Sequence, residues 1–151
     1  MKKHFNSKIN YLAIIAIFCI LDQLTKSYIN LNFYKLINKD FLIITIDFVR
    51  NYGAAFNIFN GSRLFLSFIS VISTIILTYF IFIRENNLIN KYGLSFILAG
   101  SIGNGIDRIV NGYVIDFIKI KFIDFPVFNV ADIVINIGVF ILIISYFRNK
   151  S

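Results

Sequence analysis

Residues 64–83 read LFLSFISVISTIILTYFIFI, twenty positions without a charge. A helix rises about 1.5 Å per residue, so twenty residues reach across the ~30 Å hydrocarbon core of a bilayer. The stretch reads as a membrane-spanning helix and sets the class of the whole chain. Three other segments share its character. Val127 to Phe147 is 21 residues with a single charge, Asp132. Ile9 to Leu21 holds 13 uncharged residues, and it stays apolar as far as Tyr28 if Asp22 and Lys26 sit at the interface. Tyr92 to Ile106 holds 15 uncharged residues and ends at Asp107 and Arg108. The expectation is an all-α membrane protein with four transmembrane helices, one domain over residues 1–151.

Composition agrees. The 151 residues are 58% hydrophobic and 15% charged, with a net charge of +7. Soluble domains carry about 25% charged residues, and disordered chains carry more. One Pro and one Cys exclude a collagen-like chain and a disulfide scaffold. The cations are scattered between long apolar runs, so they read as membrane-flanking charge, and no nucleic-acid partner is expected. Lys2, Lys3 and Lys8 precede an apolar run as in a cleavable signal peptide. That run leads into Asp22-Gln23-Leu24 with no small-x-small site, which favours an uncleaved first span.

Four spans put both termini on one side. Segments 1–8, 84–91 and 148–151 hold seven cations in 20 residues, whereas segments 22–63 and 107–126 hold eight in 62. Cation density places the termini inside. Asp22, Asp40, Asp47, Asp107, Asp116 and Asp124 then fall on the outer side, and Glu85 falls inside. Phe41 to Val49 is apolar and β-branched and reads as a strand. Ile118 to Phe122 alternates with period two, and Asn111-Gly112 is a turn signal ahead of it. A small outer β element is expected.

An ionisable residue inside a span costs at least ~2.5–3.5 kcal/mol on insertion scales, so it has a partner or a task. Asp22 and Lys26 lie four apart, the spacing of a helical ion pair. Ala99 and Gly103 form a surface for close helix packing. Asn104, Asp107 and Arg108 share one helix face, and Asn129, Asp132 and Asn136 lie along another stripe. Asp116 is an acid among Val114, Ile115, Phe117 and Ile118, as a carboxyl at a dry edge would be. Each group also has a plain structural reading, as an interfacial ion pair or as hydrogen-bonding glue between helices. The single His4 lies in the basic N-terminus and the single Cys19 inside the first span, which leaves little for a zinc site or a Cys–His or Ser–His pair. What remains is aspartates on one side of a bilayer. Two carboxyls at close range share a proton, so one can act as base and the other as acid on a water molecule. The residues alone leave open whether Asp107 or Asp116 partners Asp132.

Five blocks, in order, carry a resemblance. They are Asp22-Gln23-Leu24-Thr25-Lys26, Asn51-Tyr52-Gly53-Ala54-Ala55-Phe56, Gly103-Asn104-Gly105-Ile106-Asp107-Arg108, Val114-Ile115-Asp116-Phe117 and Phe128-Asn129-Val130-Ala131-Asp132. In these the chain resembles lipoprotein signal peptidase (signal peptidase II), the bacterial intramembrane aspartyl peptidases. The resemblance implies that Asp116 and Asp132 are catalytic. It implies that Asn51, Asn104, Arg108 and Asn129 hold substrate or dyad, and that Asp22, Lys26 and Asp107 are structural support. It also implies a small extracytoplasmic β-cradle, no metal and no cofactor. The protein would be a monomer in the bacterial inner membrane, with both termini cytoplasmic and the site near the outer face. The substrate would be a prolipoprotein, cut just before a Cys that carries diacylglyceryl, with membrane lipid as the other partner. One departure from the family is Ala99-Gly100, where Gly-Gly is usual. A small channel or proton-coupled transporter and a non-catalytic membrane scaffold are the rival readings, since intramembrane acids serve those too.

Overall fold

The structure, a computed structural model, describes residues 2–54, 58, 59, 61–84 and 87–148. Ala55 and Phe56 of the second motif block, and Glu85 and Lys150 of the inner segments, lie outside the described residues, as do the side chains of Lys2, Lys3 and His4. The elements in order are α1 (Lys2–Leu31), α2 (Phe33–Leu36), β1 (Asp40–Phe41), β2 (Ile44–Asn51), α3 (Arg63–Phe82), α4 (Leu88–Val110), β3 (Val114–Ile120) and α5 (Val130–Arg148).

Three helical segments, Lys8–Leu31, Arg63–Phe82 and Val130–Arg148, are long and apolar enough to cross a membrane. Their large apolar side chains face outward, among them Ile20 and Leu24, Phe68 and Ile75, and Phe140 and Ile144. Such an inside-out surface fits lipid rather than water. The expected fourth span, α4, has the length but falls short in composition. The reason lies in packing. α4 is the central helix, set against α1, α3 and α5. Its buried residues include Gly93, Ser95, Ala99, Gly100, Gly103, Asn104, Gly105 and Asp107. Helices that meet helices are rich in small residues because their backbones approach closely. A Cβ on Gly100 would collide with the carbonyl oxygen of Ala131 on α5. A Cβ on Gly103 would come within 2.5 Å of Asp22 Oδ2 on α1.

The sheet is antiparallel, in the order β1-β2-β3. The single strand expected over Phe41 to Val49 is instead a hairpin, broken at Leu42, which has φ 44°. No alternation marks that break, because every residue around it is apolar. The strand expected over Ile118 to Phe122 starts earlier, at Val114, and ends at Ile120. Val114 to Ile118 are buried on both faces, which removes the period-two signal everywhere except at the exposed Lys119. The Asn111-Gly112 turn is present, with Gly112 at φ 84°. Phe128 N and O exchange hydrogen bonds with Ile118 at 3.0 and 2.8 Å and so cover the free edge of β3. Ile115, Phe117 and Ile118 pack with Ile29 at the end of α1, which fixes the sheet against the bundle.

Candidate active site

α5 begins with a reciprocal cap. Asn129 Oδ1 accepts from the Asp132 backbone N–H at 3.0 Å, and Asp132 Oδ2 accepts from the Asn129 N–H at 3.1 Å. This is the capping-box arrangement, with Asn ahead of the helix and Asp three residues on. The cap aims the Asp132 carboxyl back over the helix start. Its other oxygen accepts from Asn104 Nδ2 of α4 at 2.9 Å.

Asp116 arrives from the opposite side. The register of β2 on β3 sets Val49 across from Asp116 and Asn51 across from Val114. Asn51 Nδ2 donates to Asp116 Oδ2 at 3.0 Å, and Asn129 Nδ2 donates to Asp116 Oδ1 at 2.6 Å. Gly53 N–H holds Asn51 Oδ1 at 2.9 Å, which fixes the direction of that amide. Burial pushes the Asp116 carboxyl up to about 6; the Asn51 and Asn129 donors oppose this, and the nearby Asp132 charge adds to it.

Behind these groups lies a fully buried ionic cluster. Lys26 Nζ is 2.8 Å from Asp22 Oδ2, 3.0 Å from Asp107 Oδ2 and 2.9 Å from Asn104 Oδ1. The remaining carboxylate oxygens are also occupied. Asp22 Oδ1 accepts from Ala131 N–H at 2.9 Å and Asp107 Oδ1 from Gln23 Nε2 at 3.3 Å, while Asp107 Oδ2 also accepts from Ile115 N–H at 3.2 Å and Asp22 Oδ2 from Gln23 Nε2 at 3.2 Å. A buried ion pair persists when hydrogen bonds satisfy its other lone pairs, as they do here. The Asn104 amide is thereby fixed. Its oxygen takes Lys26 and also Asn129 Nδ2 at 3.1 Å, so its NH2 faces Asp132.

Asn51, Asn104, Arg108, Asp116 and Asp132 all open onto one cavity of about 630 Å³. Arg108 donates to Gly53 O at 3.2 Å and Asn104 O at 3.4 Å, while its buried Nε finds no partner among the described residues. Asn129, Asp22, Lys26 and Asp107 are buried and do not line the cavity. The nine residues that the resemblance assigns thus meet at one place, five on the cavity wall and four packed behind it, and Asn136 of the α5 stripe lines the same wall. Sequence reasoning missed Gln23 as a bridge between two acids, the Gly53 carbonyl as the seat of Arg108, and Ser70, Ser73 and Ser101 on the cavity wall. The hydroxyls recurring through the otherwise apolar residues 64–83 were the available signal for Ser70 and Ser73. The other two contacts are made by an uncharged amide and a backbone oxygen, which no pattern of charges reveals.

The family model for signal peptidase (SPase) II matches residues 14–148. A lipoprotein signal peptidase from Microcystis aeruginosa is 43% identical over 137 residues, covering 87% of this chain and 88% of that protein. One from Lactococcus lactis subsp. cremoris is 34% identical over 147 residues, covering 95% and 97%. A bacterial membrane enzyme solved by the in meso method at 2.3 Å superposes with a TM-score of 0.84 and 36% identity, covering 94% of this chain and 90% of that one.

Proposed function

The chain belongs to the signal peptidase II family, and from that premise we propose that it is an intramembrane aspartic endopeptidase. It removes the signal peptide from diacylglyceryl-modified prolipoproteins by cutting just before the lipidated Cys. The observation that carries the reading is the convergence of Asp116 and Asp132. They come from a strand and a helix, they line one cavity, and one buried residue, Asn129, donates to both, to Asp116 from its side-chain amide and to Asp132 from its backbone N–H.

The chemistry follows from their surroundings. A water between the two carboxyls loses a proton to one and attacks the scissile carbonyl, which the other polarises. Asp116, whose neutral form burial favours, is suited to donate. Asp132, whose oxygens already accept from a backbone N–H and from Asn104, is suited to take the proton. The C–N bond then breaks as that proton passes to the leaving amine, and the pair returns to its starting state. Arg108 on the cavity wall is placed to hold a substrate carbonyl.

α4 is the fourth span in this reading. Its modest apolarity suits a helix shielded from lipid by three others, and four spans bring both termini to one face. The termini are cytoplasmic, and the sheet and the site lie at the outer face of the inner membrane. The substrate arrives sideways through lipid, and its acyl chains set the scissile bond at the depth of the acids, a form of positioning that lowers the barrier. The test is release of signal peptide from a diacylglyceryl-modified prolipoprotein by the pure protein. Asp116→Asn and Asp132→Asn are each expected to lower the rate by about 10³-fold or more, with the inserted, folded protein retained. Wild-type cleavage by either variant would refute the dyad.

A further inference from the structure

The hairpin joining β1 to β2 has an unusual tip. Two-residue turns between antiparallel strands favour Gly, Asn and Asp, which accept φ > 0 and suit a tip in water. Here Phe41 pairs with Ile44, and the turn is Leu42-Ile43. Leu42 sits at φ 44° and is 94% exposed. It carries backbone strain, yet its side chain buries almost nothing within the protein.

Its surroundings are of the same kind. Phe41 and Ile43 are each more than half exposed. Ile43 O accepts from Lys121 N–H at 3.1 Å, which ties the tip to the segment after β3. In that segment Phe122 is 77% exposed and Ile123 is exposed as well. Five large apolar side chains, from the β1–β2 hairpin and from the segment after β3, thus gather at one end of the sheet. The second loop runs into α5, where the Phe125 ring packs on Phe128, the residue before the Asn129 cap. Apart from the exposed Asp124, the segment from Phe122 to Phe128 is apolar, and it leads to the start of a helix long and apolar enough to cross a bilayer. Lys35 and Lys39 are exposed close to the hairpin in sequence, and Asp40, the acid adjoining Phe41, is neutralised by Lys121 at 3.0 Å.

We propose that this end of the sheet is seated in the bilayer surface on the side of the site. Phe41, Leu42, Ile43, Phe122 and Ile123 occupy the boundary between headgroups and acyl chains, and the Lys35 and Lys39 ammonium groups lie at phosphate level. Apolar side chains with a basic margin favour that layer. In this setting a leucine at the turn gains contact with acyl chains, which offsets its conformational cost. The anchor also sets the height of the β2–β3 pair, and with it Asp116, against the membrane. The inference rests on the membrane-length helices and not on the peptidase reading, so each can fail without the other.

The chain has no tryptophan, so one introduced indole is a lone reporter. Leu42→Trp and, as a ring-for-ring alternative should the turn not tolerate it, Phe122→Trp are reconstituted in phosphatidylcholine–phosphatidylglycerol vesicles. Lipids brominated either near the headgroup or near the chain end serve as quenchers. Phe140→Trp, midway along α5, is the deep reference. Expected are blue-shifted emission at 42 and 122 and stronger quenching by the shallow bromines, with the reverse order at 140. Water-like emission that no brominated lipid quenches would overturn the proposal. So would a blue shift without bromine quenching, which would mean that protein, such as a second copy of the chain, covers the tip.

Discussion

At the scale of single residues the site is governed by amides. Asn51, Asn104 and Asn129 donate to the two acids, and each amide is oriented by another contact. Asn51 gives the clearest test. Its NH2 stabilises the charged form of Asp116, so its loss raises the carboxyl further above the usual range. Because the protonated fraction of Asp116 falls as pH rises through about 6, activity is expected to decline on that limb. Asn51→Ala should move the limb upward by about one pH unit, read from kcat/KM against pH, since a hydrogen bond to a charged group contributes about 1.5–3 kcal/mol and Asn51 itself is only half-buried. A limb that stays put or moves down would remove Asn51 from this role. Between Asp107 and Asp116, a choice the residues alone left open, the contacts favour Asp116 as the proposed partner of Asp132. Both Asp107 oxygens are taken by Lys26, Ile115 N–H and Gln23, whereas Asp116 opens onto the cavity. That difference depends on the register of β2 on β3, which no local stretch of sequence encodes.

Between elements, two devices hold the site in shape. One is the close approach of α4 to α5. Gly100→Ala places a methyl against the Ala131 carbonyl, one residue from Asp132. The helices must part, and a loss of about 1–3 kcal/mol is expected, seen as a lower unfolding temperature in detergent together with reduced turnover. The other is the Lys26 clamp, which joins α1 to α4. Lys26→Met leaves two carboxylates buried without their cation, and breaking such a cluster costs about 3–5 kcal/mol. Adding Asp22→Asn and Asp107→Asn should recover part of that loss in the same melt, because the uncompensated charges are gone. The Asp22–Lys26 pair was legible from its spacing. Asp107 as the third member was not, since it lies 81 positions from Lys26 and only the helix packing brings them together. The hairpin break at Leu42 was hidden for a different reason, because apolar residues occupy a turn that usually advertises itself with Gly or Asn.

Across the whole molecule the usual order is inverted, with apolar side chains outside and the polar cluster within. Length and hydropathy made α3 and α5 plain from sequence, whereas α4, the central helix, falls short in apolarity. Hydropathy measures fitness for lipid, and α4 meets mostly protein. If it is nevertheless a span, tags at residues 1 and 151 lie on the same face. Both should be protected from protease added to sealed spheroplasts and cut only after the inner membrane is permeabilised. Tags on opposite faces would show that one of the four helices does not cross.

α3 rests chiefly on α4, and Arg63 fastens its first turn to the Arg108 and Ile109 carbonyls at 3.2 and 2.6 Å. Ile69, Ser70 and Ser73 form its side of the cavity, facing the α5 residues Asp132 and Ile133. Asn104, Asp116 and Asp132 are carried by α4, β3 and α5, so α3 walls the cavity without holding any of the three in place.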